Sequence, residues 1–143
     1  VFGGKFSEVR FAVNKTGGTV TRHQAVQIST AEALAIAGQA QFKAATGVAG
    51  EKIVVVVTGQ GDPNADGAVM AVSPLIGTVY VEVRSADDVR AGDILVIDGN
   101  TVIGGTTGKR WMVDNAPAAG VPYVIAQKAK SAGSVASVEC LCP

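Results

Sequence analysis

The residue best suited to move a proton near neutral pH is His23, the single histidine of the chain. Histidine is the commonest general acid or base because its ordinary pKa is about 6.5. Its neighbours, Arg22 and Gln24, supply no carboxylate, and no serine stands in the Gly-x-Ser-x-Gly context of a nucleophile elbow. The sequence therefore predicts that His23 is a surface or turn residue and that the chain is not an enzyme. A small hydrolase is the less favoured alternative.

The two cysteines, Cys140 and Cys142, stand two apart near the end of the sequence. At this spacing they cannot join distant segments, so the pattern does not indicate a disulfide scaffold. On a strand both would point to one face, which would allow metal binding. Together with His23 they supply at most three of the roughly four ligands that zinc requires. We therefore predict reduced thiols and no metal site.

A sharper pattern is Asp62-Pro-Asn-Ala-Asp-Gly, which places Asp62, Asn64 and Asp66 at alternate positions before Gly67. This spacing matches the first half of a calcium loop, in which a tight turn gathers oxygen ligands. The match then ends, since Ser73 stands where the bidentate glutamate should be. The same residue types are common turn formers. We predict a plain turn, with a weak cation site as the alternative.

Two further patterns suggest ligands but fit poorly. The run Gly-Gly-Thr-Thr-Gly-Lys at 104–109 would need Gly at Ile103 and Ser or Thr at Arg110 to be a phosphate-binding P-loop. It therefore predicts a flexible hairpin loop and no cofactor. Phe2, Lys5 and Phe6 are the one partial match to an aromatic and basic platform for single-stranded nucleic acid, and we interpret them as a terminal segment.

The charge and composition exclude other classes of partner. Lys plus Arg equal Asp plus Glu at 12 each, so no basic surface for nucleic acid is expected. The strongest apolar run, residues 53–57, is far shorter than the roughly 20 residues of a transmembrane helix. Hydrophobic residues make up 48% of the 143 residues, enough for a sizeable core. Trp111, beside Met112, is interpreted as core or interface filler. No nucleic acid and no membrane are therefore expected as partners.

The elements that must position these residues are predominantly strands. Strands recurring about every dozen residues, without long helices between them, predict a mainly β fold: a small β-barrel, β-tulip or sandwich. The predicted strands are residues 8–14, 19–28 with a bend at His23 and Gln24, 53–57, 78–84, 94–97, 110–113, 121–127 and 135–141.

One segment carries mixed signals. Ser29-Thr-Ala-Glu32 is a capping box, which predicts a short helix from near Thr30 to near Gly38. Alternation over residues 39–44 then predicts a strand. A faint similarity links 47–50 leading into 53–57 with 131–133 leading into 135–141, too weak to predict a repeat. We predict one β-rich domain over residues 1–143, with residues 1–14 as a possible N-terminal arm and first strand.

Several stretches resemble a known family. Val-Arg-Ala-Gly-Asp-Ile-Leu-Val-Ile-Asp at 89–98, followed by Gly-Asn-Thr-Val, is similar to a segment of tailed-phage head decoration (capsid cement) proteins. In these proteins a small-Gly-Asp turn precedes a strand that ends in an acidic, glycine-containing hairpin. Residues 123–133 leading into 135–138 resemble the family's closing strand, Ala-rich turn and Val-rich strand. Residues 42–57 resemble an earlier turn of the same kind.

The resemblance implies a small β-barrel protein on the outer surface of an icosahedral capsid, made in the host cytoplasm. Such a protein bridges subunits of the major capsid protein, often as a homotrimer, and has no catalytic residues, cofactor or metal. Residues 1–6, with Gly3 and Gly4 as a joint, would form an arm that becomes ordered on the shell. The alternative is another virion or surface β module, such as a fibre-base, tail or adhesion domain.

Overall fold

The computed structural model describes residues 10–28, 41–59, 63–100, 102 and 105–143, and in these the chain is all β. The prediction of a mainly β fold is confirmed, and the described residues contain no helix. The predicted helix near Thr30 and the predicted arm at 1–6 lie outside the described residues. The ten strands are β1 Arg10–Asn14, β2 Ala25–Ile28, β3 Gln41–Ala44, β4 Ile53–Gly59, β5 Val69–Pro74, β6 Thr78–Val83, β7 Ile94–Ile97, β8 Trp111–Val113, β9 Tyr123–Ala126 and β10 Ala136–Leu141.

The strands form two closed barrels. Strands β1 to β5 make the first barrel in the order β1-β3-β2-β4-β5, and β6 to β10 make the second in the order β10-β6-β8-β7-β9. The part of the chain that the structure describes has no helix long and apolar enough to span a membrane. Because each sheet closes on itself, most strand edges among the described residues are already paired, although β6 meets β8 at one pair only, Val83 and Trp111.

The two barrels have the same topology. In each, the first strand pairs in parallel with the third, and every other neighbouring pair is antiparallel. The registers agree too: Val26 lies opposite Val54 in the first barrel as Leu95 lies opposite Val124 in the second. The chain is therefore built from two copies of one five-stranded unit.

Each barrel is filled by eight buried apolar side chains at equivalent positions. Burying a large apolar side chain contributes roughly 1.5–3 kcal/mol, so these residues dominate the stability of each unit. The two aromatic members, Phe42 and Trp111, are equivalent, and the interpretation of Trp111 as filler is confirmed for the core. The two sets are given in chain order, so that equivalent positions correspond. They are Ala12, Val20, Val26, Phe42, Val54, Val56, Met70 and Val72 in the first barrel, and Val81, Val89, Leu95, Trp111, Val124, Ala126, Val138 and Cys140 in the second.

The two barrels pack on each other, and each contributes a different surface to the contact. We call this contact the seam. From the first barrel, Ala25 and Val55 point outward and join the buried cluster of the second barrel. From the second barrel, Lys109 exchanges two backbone hydrogen bonds with Ala25, at 2.8 and 3.1 Å, and the Glu82 N–H donates to the His23 carbonyl at 2.9 Å. The contributing positions are not equivalent in the two units, so the seam is a heterologous contact.

The predicted strands agree with this architecture except at two elements and at the repeat. The strand predicted over residues 19–28 is observed only as β2, Ala25–Ile28, and Val20 forms an isolated bridge before the turn at His23. Strand β5 has no counterpart among them, because Ala71, Ser73 and Pro74 dilute its apolar pattern. The faint similarity between residues 47–57 and 131–141 would make β4 the equivalent of β10. The observed registers instead make β4 equivalent to β9 and β5 equivalent to β10. The repeat therefore exists, but with a different alignment. The single domain over residues 1–143 stays a prediction.

Candidate functional site

One exposed surface with apolar side chains lies on the outer side of β6 and β10. Because side chains alternate across a strand, one set from each strand faces outward. Tyr80 is 49% exposed and Leu141 is 42% exposed. We call this surface the Tyr80 face; it consists of Thr78, Tyr80, Glu82, Ser137, Glu139 and Leu141.

His23 reaches this face from the first barrel. Its Nδ1 lies 2.6 Å from the Ser137 hydroxyl, and its ring stacks on Tyr80 with centroids 5.7 Å apart. His23 has a φ of 69°, and the equivalent residue of the second barrel is Gly92, with a φ of 96°. The left-handed conformation costs a non-glycine residue roughly 1–2 kcal/mol. The first barrel thus carries a histidine where its repeat has glycine, and the ring joins the two barrels.

The contact between His23 and Ser137 has the distance expected of a nucleophile and its general base. Ser137, however, is exposed on the outer side of a strand. Acyl-transfer sites instead hold the reacting carbonyl in a water-excluded pocket lined by oxyanion donors. We therefore interpret the pair as a tie between the barrels.

The two carboxylates of the Tyr80 face differ in their partners. Glu82 Oε2 accepts hydrogen bonds from Gln24 Nε2 and Arg110 Nε, both at 2.9 Å. Its charge is therefore neutralised within the seam. Glu139 accepts a hydrogen bond from the Tyr80 hydroxyl at 3.3 Å, and among the described residues it has no ion pair. Glu139 is thus the carboxylate of this face that can meet a cation from a partner protein.

A small cleft opens beside the face, between the barrels. Val55, Val57 and Val79 form its apolar walls, and His23 and Tyr80 stand at its rim. Its volume is about 170 Å³. Pockets for small organic ligands usually measure roughly 300–1,000 Å³. The cleft is therefore smaller than a usual pocket for a small organic ligand.

A second cleft, of about 210 Å³, is polar. Its two arginines already have carboxylate partners: Arg84 pairs with Asp87 at 2.9 Å and with Asp98 at 3.5 Å, and Arg110 pairs with Glu82 at 2.9 Å. Because these charges are compensated within the fold, the cleft offers little attraction to an anion such as phosphate.

The cysteines are part of the second barrel's packing. Cys140 is fully buried and Cys142 packs against the same core. Burial raises the pKa of Cys140 to about 12, with further increases from the nearby Cys142 and Glu139, and burial raises the pKa of Cys142 to about 11. Both thiols are therefore protonated at neutral pH, a state that neither attacks substrates nor binds metals well.

In the acidic turn, the two described candidate ligands, Asn64 and Asp66, make separate contacts. Asp62 lies outside the described residues. Asn64 is buried, and its side-chain amide donates to the Val20 carbonyl at 3.3 Å. Asp66 is exposed and accepts a hydrogen bond from the Gly17 N–H at 3.0 Å. The side chains of Asn64 and Asp66 thus point to different surroundings, as in an ordinary turn.

The glycine-rich loop before β8 contacts the first barrel, and Gly104 lies outside the described residues. Thr107 N–H donates to the Thr19 carbonyl at 2.9 Å, and Lys109 N–H donates to the Ala25 carbonyl. These donors are used by the seam, so they cannot hold a phosphate. The terminal Phe2, Lys5 and Phe6 also lie outside the described residues.

No group of three or more His, Cys, Asp or Glu side chains that could hold a metal occurs in the part of the chain that the structure describes. The residues of the candidate site that the sequence did not single out are Tyr80, Ser137, Glu139 and Leu141. The available signal was the alternation in β6, which places the large aromatic Tyr80 on the polar, outward side of the strand. No model of a known protein family matches the chain, and no curated protein matches it significantly.

Proposed function

We propose that this chain is a capsid decoration protein, which binds the outside of an icosahedral shell and stabilises it by bridging subunits of the major capsid protein. The observation that carries the proposal is the combination of two filled barrels with large apolar side chains on their outer surfaces. The interior is occupied by the protein's own core, so recognition takes place on the outside. The chain acts by binding and not by catalysis.

The exposed apolar side chains support a protein as the partner. Isolated exposed hydrophobic residues are common, but aromatic residues on an outward strand face are typical of interfaces. Within the described residues, the large apolar side chains that are exposed are Phe11, Val48, Ile76, Tyr80, Val135 and Leu141.

The closed barrels restrict how a partner can bind. A partner cannot add a strand to a sheet without a free edge, so it must contact strand faces or loops. The Tyr80 face provides an aromatic ring, an aliphatic side chain and the carboxylate of Glu139. A partner with an apolar side chain for the cleft and a basic residue for Glu139 would complement this surface.

The resemblance of residues 89–102 and 123–138 to head decoration proteins points to the shell as that partner. Decoration works through many identical copies, each of which buries a modest area, so that the summed contacts resist internal pressure. A rigid pair of barrels suits this role, because little conformational entropy is lost when a preformed surface binds.

The stabilisation of heads tests this function. Under this proposal the chain comes from a tailed phage, and DNA-filled heads of that phage, prepared without the chain, are heated with and without it. We expect the chain to raise the temperature at which the heads release DNA. The L141D variant, with an acidic residue on the Tyr80 face, should raise this temperature less than the wild type does. V48D, at an exposed residue between β3 and β4, serves as the control. Heads that release DNA at an unchanged temperature despite excess chain would argue against a cement role.

A further inference from the structure

The cleft between the barrels lies next to the aromatic ring of the Tyr80 face. Val55, Val57 and Val79 form its walls, and the Tyr80 ring stands at its rim. Its volume is about 170 Å³. An engineered apolar cavity of roughly 150 Å³ admits benzene. The cleft therefore suits a short hydrocarbon chain or a single ring.

The Tyr80 ring is placed to contact a group that enters the cleft. It is 49% exposed, although His23 stacks on it from the first barrel with centroids 5.7 Å apart. The face of an aromatic ring carries partial negative charge and attracts a cation that lies within about 6 Å of its centroid. A ligand with an apolar part and a positive charge can thus contact both the valines and the ring.

The carboxylate of Glu139 adds a full negative charge at the hydroxyl end of the same ring. The Tyr80 hydroxyl donates to Glu139 at 3.3 Å, and the two residues are direct partners across β6 and β10. Glu139 has no ion pair among the described residues, whereas Glu82 is paired with Arg110. The charge of the Tyr80 face is therefore complementary to a cation.

A cation beside the cleft sets the direction in which such a ligand would lie. Arg22 Nε donates to the carbonyl of Val57, one of the wall residues, at 2.9 Å. Because like charges repel, the cationic end of a ligand should point away from Val57 and toward Tyr80. The hydrocarbon end then lies against the valine walls.

We infer that the cleft receives a single basic side chain, lysine or arginine, of the partner protein. Its alkyl stem lies against Val55, Val57 and Val79. Its charged head lies over the Tyr80 ring and meets Glu139. Long basic side chains commonly bury their stems on apolar surface while the charge stays in water. The inference rests on the proposed function for the identity of the partner and names the chemistry by which that partner is recognised.

n-Butylammonium, which has the stem and the charge of a lysine side chain, tests the site on the isolated chain. It replaces sodium at constant chloride concentration, and binding is followed by the NMR shifts of the backbone amides of Val57 and Tyr80. n-Butanol, with the same stem and no charge, is the matched neutral probe. We expect the ammonium to bind about threefold or more tightly than the alcohol, a gain typical of exposed charge contacts.

Substitutions then separate the charge of Glu139 from the ring of Tyr80. Glu139→Gln keeps the shape of the side chain and should weaken binding of the ammonium about threefold, with binding of the alcohol unchanged. Tyr80→Leu removes the ring and should also weaken binding of the ammonium, whereas Tyr80→Phe keeps the ring and should retain most of it. Asp66→Asn makes the same change of charge at an exposed residue of the first barrel and should bind like the wild type.

Three results would overturn the inference: an alcohol that binds as tightly as the ammonium, an E139Q chain with an unchanged preference for the ammonium, or no shift at Val57 and Tyr80 with either probe. Co-sedimentation with phage heads separates this inference from the proposed function. If the wild-type and E139Q chains bind heads equally, the cement role stands and the basic side chain is wrong. If neither binds heads although the ammonium binds the isolated chain, the cement role fails and the recognition of a basic group stands.

Discussion

Phe42 and Trp111 occupy the same position in two copies of one barrel. Phe42 lies opposite Ile28 as Trp111 lies opposite Ile97, and both rings are buried in the core of their own unit. The equivalence gives the chain two cores of one design, joined by a seam whose buried residues belong to both barrels. The stability of the chain and the surfaces that it exposes therefore depend on how these two units are connected.

The two cores should unfold together. Phe42→Ala and Trp111→Ala each remove a buried aromatic side chain, and each should lower the free energy of unfolding by about 3–5 kcal/mol. Because the seam shares one apolar cluster with the second core, we expect both changes to shift a single transition. Urea denaturation followed by circular dichroism measures this. Ile76→Ala, at an exposed position, is the control. Two transitions, with each variant shifting only one, would contradict the single domain predicted over residues 1–143.

The seam should depend on Glu82. Glu82→Ala leaves Gln24 and Arg110 without their shared acceptor in a largely buried site. We expect a loss of about 1–3 kcal/mol in the free energy of unfolding. Glu139→Ala removes the other carboxylate of the Tyr80 face and should cost less than about 1 kcal/mol, since Glu139 has no ion pair among the described residues. Equal effects of the two substitutions in chemical denaturation would contradict the role assigned to Glu82.

Because the Cys140 thiol is buried, the free energy of unfolding should fall as the pH becomes alkaline. Burial raises its pKa in the folded chain to about 12, above the ordinary value of 9.0 for a cysteine thiol. Between these values the unfolded chain has lost the proton and the folded chain has kept it, so stability falls as pH rises. The slope is about 1.4 kcal/mol per pH unit.

Cys140→Val isolates this effect, because the equivalent position of the first barrel already holds Val72. We expect the variant to lose less stability than the wild type between pH 9 and pH 11, a range that lies between the ordinary pKa of a thiol, 9.0, and the raised pKa values of Cys140 and Cys142. Denaturation at a series of pH values gives the comparison. Identical pH profiles would show that Cys140 is not the titrating group.

The strands could be predicted where a local pattern determines them. The continuous apolar run in β4 predicts a strand buried on both faces, and Ile53, Val54, Val55 and Val56 are all buried. In β6 the alternation assigns its valines to the core. The turn at His23 also follows from the sequence. These features need only the period of the strand and the residue types of the turn.

The repeat could not be predicted because the two units share the register of their strand pairs but not the identity of their residues. Equivalent core positions hold pairs such as Met70 and Val138, or Val56 and Ala126, which share apolar character but not side-chain shape. The candidate site was hidden for a similar reason. Ser137 stands 114 residues from His23, and only the packing of one barrel on the other brings them together.

The Ser137 and His23 pair should not turn over substrate. Incubated with an activated ester such as p-nitrophenyl acetate, the wild-type chain and the Ser137→Ala variant should release product at the same slow rate. The physical reason is the exposed position of Ser137 outside any water-excluded pocket. Saturable hydrolysis by the wild type that is lost in Ser137→Ala, with the fold retained, would instead support the hydrolase alternative.

The most direct test of the central claim is the number of chains bound per head. Heads of the tailed phage from which, on this proposal, the chain derives are prepared without the chain and sedimented with increasing amounts of it, and the bound chain is quantified. A cement protein should saturate in proportion to the number of capsid subunits, which requires many copies per shell. The account predicts such saturation for the wild type. Absence of co-sedimentation, or saturation at only a few copies per head as for a fibre-base component, would contradict it.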